Sequence, residues 1–192
     1  MNKPNSFDDV QAGGEYTPIE LGGHHAVIMS VKEQKSSTGK DMIVVALDFA
    51  KNDKQPGYFK DQFDKDTRSD KKWPYQGVQY IVTEDGEGKC SRNFKGFITS
   101  FERSNNVETN WGNKFCDQFK GKKIGVVYGE VEEEYNGEVK TRHRIRWFCE
   151  DAKADEASVP KPKYYTGPVA KTSSAGNVAN NIPDGAEDEI PF

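Results

Sequence analysis

Short clusters of apolar residues separated by polar turns run through the first 150 positions, and this pattern is typical of β-strands. Residues 24–33 read as a mostly buried strand, and residues 42–50 as a second strand rich in β-branched side chains. Residues 36–40 between them have the serine and glycine content of a turn. The sequence therefore predicts an N-terminal β-hairpin, followed by a short third strand at residues 58–64.

A change in the apolar period marks a helix further along the chain. The spacing i, i+3, i+4 and i+7, which places residues on one helix face, is shown by Phe94, Phe97, Ile98 and Phe101. We interpret this stripe as the core-facing side of a helix. A second short helix is predicted around residues 115–119, ended by Gly121.

The dipeptide Asn136-Gly137 predicts a second hairpin, because both central residues of a type I′ turn need positive φ. If Tyr135 faces Glu138, the two strands present different faces. One face is apolar and pairs Ile124, Val126 and Tyr128 with Cys149, Trp147 and Ile145. The other face lines up Arg142, Arg144 and Arg146 opposite Val131, Gly129 and Val127.

The order of these elements predicts a mainly β protein with one or two short helices, arranged as a five-stranded OB-like barrel. In such barrels the helix lies between the third and fourth strands. From Asp151 onward the chain is rich in Ala, Ser, Pro, Lys and Asn and has no apolar period, which predicts disorder. We therefore expect a barrel domain at residues 1–150 and a disordered linker with an acidic tail at residues 151–192.

The net charge of −4 is unevenly distributed along the chain. From Glu150 onward there are 8 acidic and 4 basic residues, which leaves 23 of each in the body. The body is thus neutral overall and can still carry a local basic face. A segregated acidic tail is typical of a separate interaction element.

The arginine row formed by Arg142, Arg144 and Arg146 is the first candidate binding surface. Guanidinium groups at every second strand position can follow a phosphate backbone, and small Gly129 would let a nucleic acid strand approach closely. The alternative is a solvated sheet face whose arginines pair with Glu133 or with other carboxylates. Both interpretations stay open at the level of sequence.

A second candidate surface interleaves aromatic rings with cations. Such a mixture suits single-stranded nucleic acid, because bases stack on the rings while the cations hold phosphates. We interpret Phe59 and Phe63 as core residues, and Trp73 and Tyr75 as exposed rings. The candidate binding residues are Tyr58, Lys60, Lys71, Lys72, Trp73 and Tyr75.

No catalytic, cofactor or metal motif stands out, so we expect neither an enzyme nor a bound cofactor. The three cysteines, Cys90, Cys116 and Cys149, are widely spaced and predict free thiols rather than disulfides or a zinc site. No apolar run of membrane-spanning length and no secretion signal is found. We expect a cytoplasmic protein.

The last nine residues, 184–192, place four acids before an apolar Ile-Pro-Phe end. This ending resembles the C-terminal tip of bacterial single-stranded-DNA-binding proteins, and similar acidic tails occur on phage-encoded single-strand binders. Residues 16–24 and 35–42 are similar to a group of phage proteins. The tip's resemblance implies docking on replication, repair or recombination proteins through Glu187, Asp188, Glu189, Ile190, Pro191 and Phe192.

The resulting expectation is sequence-tolerant binding and protection of single-stranded DNA in phage replication or recombination, with partners recruited by the tail. The alternative is an interaction protein whose barrel binds no DNA and whose tail captures or inhibits host repair or replication enzymes. The free edge of the final hairpin could also pair between subunits, which would make a homo-oligomer.

Overall fold

The computed structural model describes Lys3 and residues 17–167 of the 192-residue chain. Its five strands are β1 (Gly22–Lys35), β2 (Asp41–Phe49), β3 (Val78–Val82), β4 (Lys123–Tyr135) and β5 (Glu138–Cys149). Its two α-helices are α1 (Tyr58–Lys65) and α2 (Arg92–Asn105). Single 3-10 turns occur at Tyr75–Gly77, Cys116–Gln118 and Asp151–Lys153.

The strands form one antiparallel sheet in the order β3-β2-β1-β4-β5. Helix α2 connects β3 to β4, as the sequence pattern predicts. The mainly β fold class is therefore confirmed. Within residues 17–167, however, the outer strands β3 and β5 share no strand pairing, so the sheet remains open between them instead of closing into a hydrogen-bonded barrel.

The third strand lies later in the chain than the sequence predicts. Residues 58–64, expected to be a strand, belong to helix α1, and β3 takes the place next to β2. The cause is a contact from outside the segment: one carboxylate oxygen of Asp48 accepts the backbone N–H groups of Phe59 and Lys60 at 2.9 and 3.3 Å. Donors that a helix start leaves unpaired are thereby satisfied by β2.

The stripe on α2 forms the centre of the core, as predicted. Phe94, Phe97, Ile98 and Phe101 are all buried, and the helix begins where the Ser91 hydroxyl accepts the Phe94 N–H at 3.2 Å. The segment 115–119 forms a 3-10 turn rather than an α-helix. Its Phe119 ring is fully buried against Phe101, with 4.6 Å between ring centroids.

The final hairpin has the predicted turn and, over most of its length, the predicted register. Asn136 and Gly137 both have positive φ, of 53° and 80°. Tyr135 pairs with Glu138, and the next pairs along the strands continue as expected to Gly129 opposite Arg144. The local turn chemistry therefore sets this part of the sheet.

Tyr128 still pairs with Ile145 as predicted, but a β-bulge at Arg146 makes the predicted register wrong beyond this pair. Trp147 pairs with Val127 instead of Val126 and is 44 % exposed, although the sequence pattern places it in the core. Phe148 takes the core position instead, opposite Val126. One extra residue in a strand moves every later side chain to the other face.

Residues 151–167, which we call the strap, fold back over the outer face of the sheet. Ala154 is fully buried there, and Gly23 leaves room for it, since a Cβ on Gly23 would lie 1.8 Å from the Ala154 carbonyl oxygen. Further along, Lys163 bridges to Val131 in parallel orientation. The expectation that the fold ends near Cys149 and that a disordered linker follows is therefore wrong for residues 151–167.

His25 fastens the start of the strap to β1. Its Nδ1 and Nε2 atoms lie 2.9 and 3.2 Å from carboxylate oxygens of Asp151 and Asp155. Burial works against protonation, but the hydrogen bonds and charges of the two aspartates outweigh it and raise the pKa of His25 above 6.5. The imidazolium form can donate to both carboxylates at once, whereas the neutral ring cannot.

We expect this contact to weaken as the pH rises. A raised pKa in the folded state means that the stabilisation is complete below about pH 6.5 and is lost as the pH rises through the folded pKa. Urea unfolding from about pH 5.5 to about pH 8.5 should show the stability advantage of the wild type over His25→Gln shrinking by about 1 kcal/mol. A constant difference between the two proteins would contradict this role.

Candidate nucleic-acid interface

A groove of about 410 Å³ lies where the sheet is left open between β3 and β5. Its walls come from the turn after β1 and the start of β2, from β3 and the segment that leads into it, from the first turn of α2, from β4 and β5, and from the strap. Aromatic, cationic and hydroxyl side chains share the lining, with one carboxylate among them. The polar and aromatic lining residues are Ser36, Ser37, Tyr75, Gln79, Tyr80, Asn93, Glu133, Arg144, Arg146 and Lys163.

Tyr75 and Arg144 form a stacked pair in this groove. The guanidinium carbon of Arg144 lies 3.6 Å from the centroid of the Tyr75 ring, which is 45 % exposed. Glu133 holds Arg144 in place by accepting two hydrogen bonds of 2.8 Å. The Tyr80 ring lies 6.5 Å from Tyr75, so two aromatic rings and one planar cation share a fixed arrangement.

The arginine row is largely satisfied within the protein. Glu133 lies 3.9 Å from Arg142 and pairs with Arg144, so these two arginines adopt the paired arrangement that the sequence leaves open as an alternative. Arg146 donates instead to the backbone carbonyls of Lys161 and Glu130, at 2.9 and 3.3 Å. Arg144 and Arg146 line the groove, while Arg142 does not.

The expectation that nucleic acid approaches closely at Gly129 is wrong, because the strap occupies the space next to this glycine. A Cβ added to Gly129 would lie 2.3 Å from Pro160, which is itself buried. The missing side chain therefore serves packing within the chain. This use of glycine follows from a contact 31 residues away in sequence, which no local pattern indicates.

Trp73 is a core residue and not the exposed stacking ring that the sequence predicts. It is 6 % exposed, its indole N–H donates to the Leu47 carbonyl at 2.9 Å, and its ring packs on Phe63. Tyr58 is half-buried, with its hydroxyl donating to Thr17 at 2.6 Å. Phe59 is fully buried, in agreement with its interpretation as core.

The three lysines of the second candidate surface lie apart from the groove lining. Lys60 is exposed on α1 and pairs with Asp64, and Lys71 places its ammonium 4.5 Å from the Phe63 ring centroid. Lys72 is exposed in the loop after α1. Of the predicted binding residues, only Tyr75, Arg144 and Arg146 therefore meet in one site.

Most of the groove residues are absent from the binding residues predicted from the sequence, and Tyr80 and Lys163 are two of them. Tyr80 faces the groove from β3, a strand that the pattern misses altogether. Lys163 reaches the groove because its backbone pairs with β4, with hydrogen bonds of 2.8 and 3.0 Å to Glu132 and Glu130. Both placements depend on pairing between distant segments, so local periodicity carries no signal for them.

The three cysteines differ in burial. Cys90 is exposed, Cys116 and Cys149 are partly buried, and all three are free. Burial, together with the charges of Asp151 and Glu150, raises the pKa of the Cys149 thiol to about 11.

Among the described residues no group of three or more His, Cys, Asp or Glu side chains could hold a metal ion. No helix within residues 17–167 has the length and apolarity needed to cross a membrane.

The six predicted partner-binding residues at the C-terminus, from Glu187 to Phe192, lie outside the described residues. Comparison with known proteins adds no assignment to the groove or to the tail. No protein-family model matches the chain, and no curated protein matches its sequence.

Proposed function

We propose that the protein binds single-stranded DNA in the groove between β3 and β5, without strong sequence preference. The observation that carries this proposal is the Tyr75–Arg144 stacked pair, held by Glu133 in an open groove. A base can stack on the exposed part of such a pair, a contact worth about 1 to 3 kcal/mol per base. Because every base has a flat face, this contact does not discriminate between sequences.

The same chemistry favours single strands over duplexes. In a duplex the base faces are covered by their neighbours, so an aromatic platform has nothing to stack on unless bases are extruded. Arg146 and Lys163 line the groove as well and form no ion pair with the residues that the structure describes. They supply charge for the phosphates, while Ser36 and Ser37 offer hydroxyl donors.

The test is a fluorescence-anisotropy titration of a labelled poly-dT oligonucleotide at about 50 and about 200 mM salt. With the two groove cations Arg146 and Lys163 neutralising phosphates, the logarithm of the affinity should fall with the logarithm of salt with a slope of about −1.4. An unlabelled duplex of equal length should not compete. Binding to neither DNA, or equal competition by the duplex, would refute the proposal.

We extend the proposal to the C-terminal tail, to the cellular location and to the phage origin of the protein. We place the protein in the host cytoplasm, as a phage protein that protects single strands and presents residues 187–192 to replication, repair or recombination enzymes. The acidic residues steer the approach, while Ile190 and Phe192 fill an apolar pocket on the partner. The sequence of the tip, with its four acids before Ile-Pro-Phe, supports this role.

A second candidate function is supported by the charge distribution. The body is neutral, unlike that of many nucleic-acid binders, and all of the excess negative charge lies from Glu150 onward. On this hypothesis the tail captures or inhibits host repair or replication enzymes and the protein binds no DNA. Absence of binding in the poly-dT titration would make this the leading candidate.

A further inference from the structure

Trp111 carries a large, solvent-exposed aromatic ring. It is far from Tyr75 in the sequence. It lies in the loop between α2 and the 3-10 turn Cys116–Gln118 and is 63 % exposed. One face of the indole stacks on Phe115, with 5.3 Å between ring centroids and 15° between planes. Its edge meets Phe94 at 6.2 Å. The ring is therefore held in one orientation with much of its surface uncovered.

The first turn of α2 connects this ring to the groove. Asn93 lines the groove, and the next residue, Phe94, packs against Trp111. A second connection runs through the 3-10 turn Cys116–Gln118, which packs against β1, the strand that ends next to the groove residues Ser36 and Ser37. A strand of nucleic acid that leaves the groove past Asn93 would thus arrive beside Trp111.

Uncompensated cations lie on the same segments. Within residues 17–167, no ion pair is formed by the exposed side chains of Arg92, Lys95 and Lys114. Asp85, which shares a shallow depression with two of them, is occupied by the backbone N–H groups of Glu87 and Lys89. The loop also carries carboxylates, so the surface is mixed, but its cations remain available to phosphates.

We infer that Trp111 is a second base-stacking position for the same DNA strand, so that the site runs from Tyr75 past the first turn of α2 to Trp111. The inference rests on the proposed function. A ring already fixed by Phe115 loses little conformational freedom when a base stacks on it, which favours this role over that of a mobile surface residue. Only strands long enough to leave the groove reach Trp111.

The test compares oligonucleotide lengths. Trp111→Ala should weaken binding of a dT strand of about 20 nucleotides by about tenfold and leave a strand of about 6 nucleotides unchanged. Trp111→Phe should keep most of the affinity, because a ring remains. Trp147→Ala serves as the matched control, since Trp147 is also exposed and does not line the groove.

A second readout uses intrinsic fluorescence. In a Trp147→Phe variant the remaining tryptophans are buried Trp73 and exposed Trp111. The long strand should quench this fluorescence and the short strand should not. Wild-type binding with no length-dependent loss in Trp111→Ala, or with equal loss at both lengths, would overturn the inference alone. No wild-type binding at either length would overturn the proposed function itself.

Discussion

Replacing Trp73 by alanine is expected to lower the free energy of unfolding by about 3 to 5 kcal/mol. The indole is 6 % exposed and packs on Phe63, so its removal leaves a cavity between α1 and the sheet. The change also leaves the Leu47 carbonyl without the indole N–H that it accepts at 2.9 Å. Cavity formation and a lost buried hydrogen bond act in the same direction.

Urea unfolding followed by circular dichroism would measure this loss. Trp147→Ala is the matched control, because the same residue type is removed from a site that is 44 % exposed, and it should cost less than about 1 kcal/mol. Similar losses in the two variants would contradict the burial of Trp73. A stable Trp73→Ala protein with weakened DNA binding would restore Trp73 as a stacking ring.

Arg144→Ala should weaken binding of single-stranded DNA by about tenfold to a hundredfold. The substitution removes the cation stacked on Tyr75 and leaves Glu133 facing the groove without its bidentate partner. The resulting carboxylate repels phosphates at the position where a cation attracted them. Arg144→Lys should not restore full affinity, since an ammonium group offers no plane for stacking.

Glu133→Gln provides the opposite change at the same place. It removes the carboxylate that competes with DNA for Arg142 and Arg144, so we expect tighter binding and a steeper salt dependence.

Arg103→Ala is the control for the positive charge lost in Arg144→Ala, because Arg103 is an exposed arginine on α2 outside the groove lining. If Arg103→Ala and Arg144→Ala weakened binding equally, the groove would have no special role.

The features predicted correctly from sequence are those fixed by nearby residues. The turn at Asn136-Gly137 forms because a type I′ turn needs positive φ at both central positions, and Asn and Gly adopt it readily. The apolar stripe of α2 is buried because its spacing matches one helix face. The errors share a different cause. Helix α1 is stabilised by the carboxylate of Asp48, which lies in β2 and not in the helix segment itself. The bulge at Arg146 likewise has no marker in the local sequence pattern.

The candidate site was predictable to a similar extent. Tyr75, which follows proline in a polar stretch, is exposed as expected, and the hairpin register correctly placed Arg144 opposite Gly129. Neither signal indicated that the two side chains would stack. Their meeting depends on how the segment before β3 lies against β5, and Lys163 joins them only because the strap pairs with β4.

The strap also determines where a mechanical load would enter the domain. Tension applied from the C-terminal side of residue 167 is carried first by the hydrogen bond from the Tyr165 N–H to the Glu132 carboxylate. The two backbone hydrogen bonds of Lys163 and the bond from Arg146 to the Lys161 carbonyl come next. Arg146 and Lys163 both line the groove. A pull on the chain end is therefore transmitted to the groove wall before it reaches the core of the sheet.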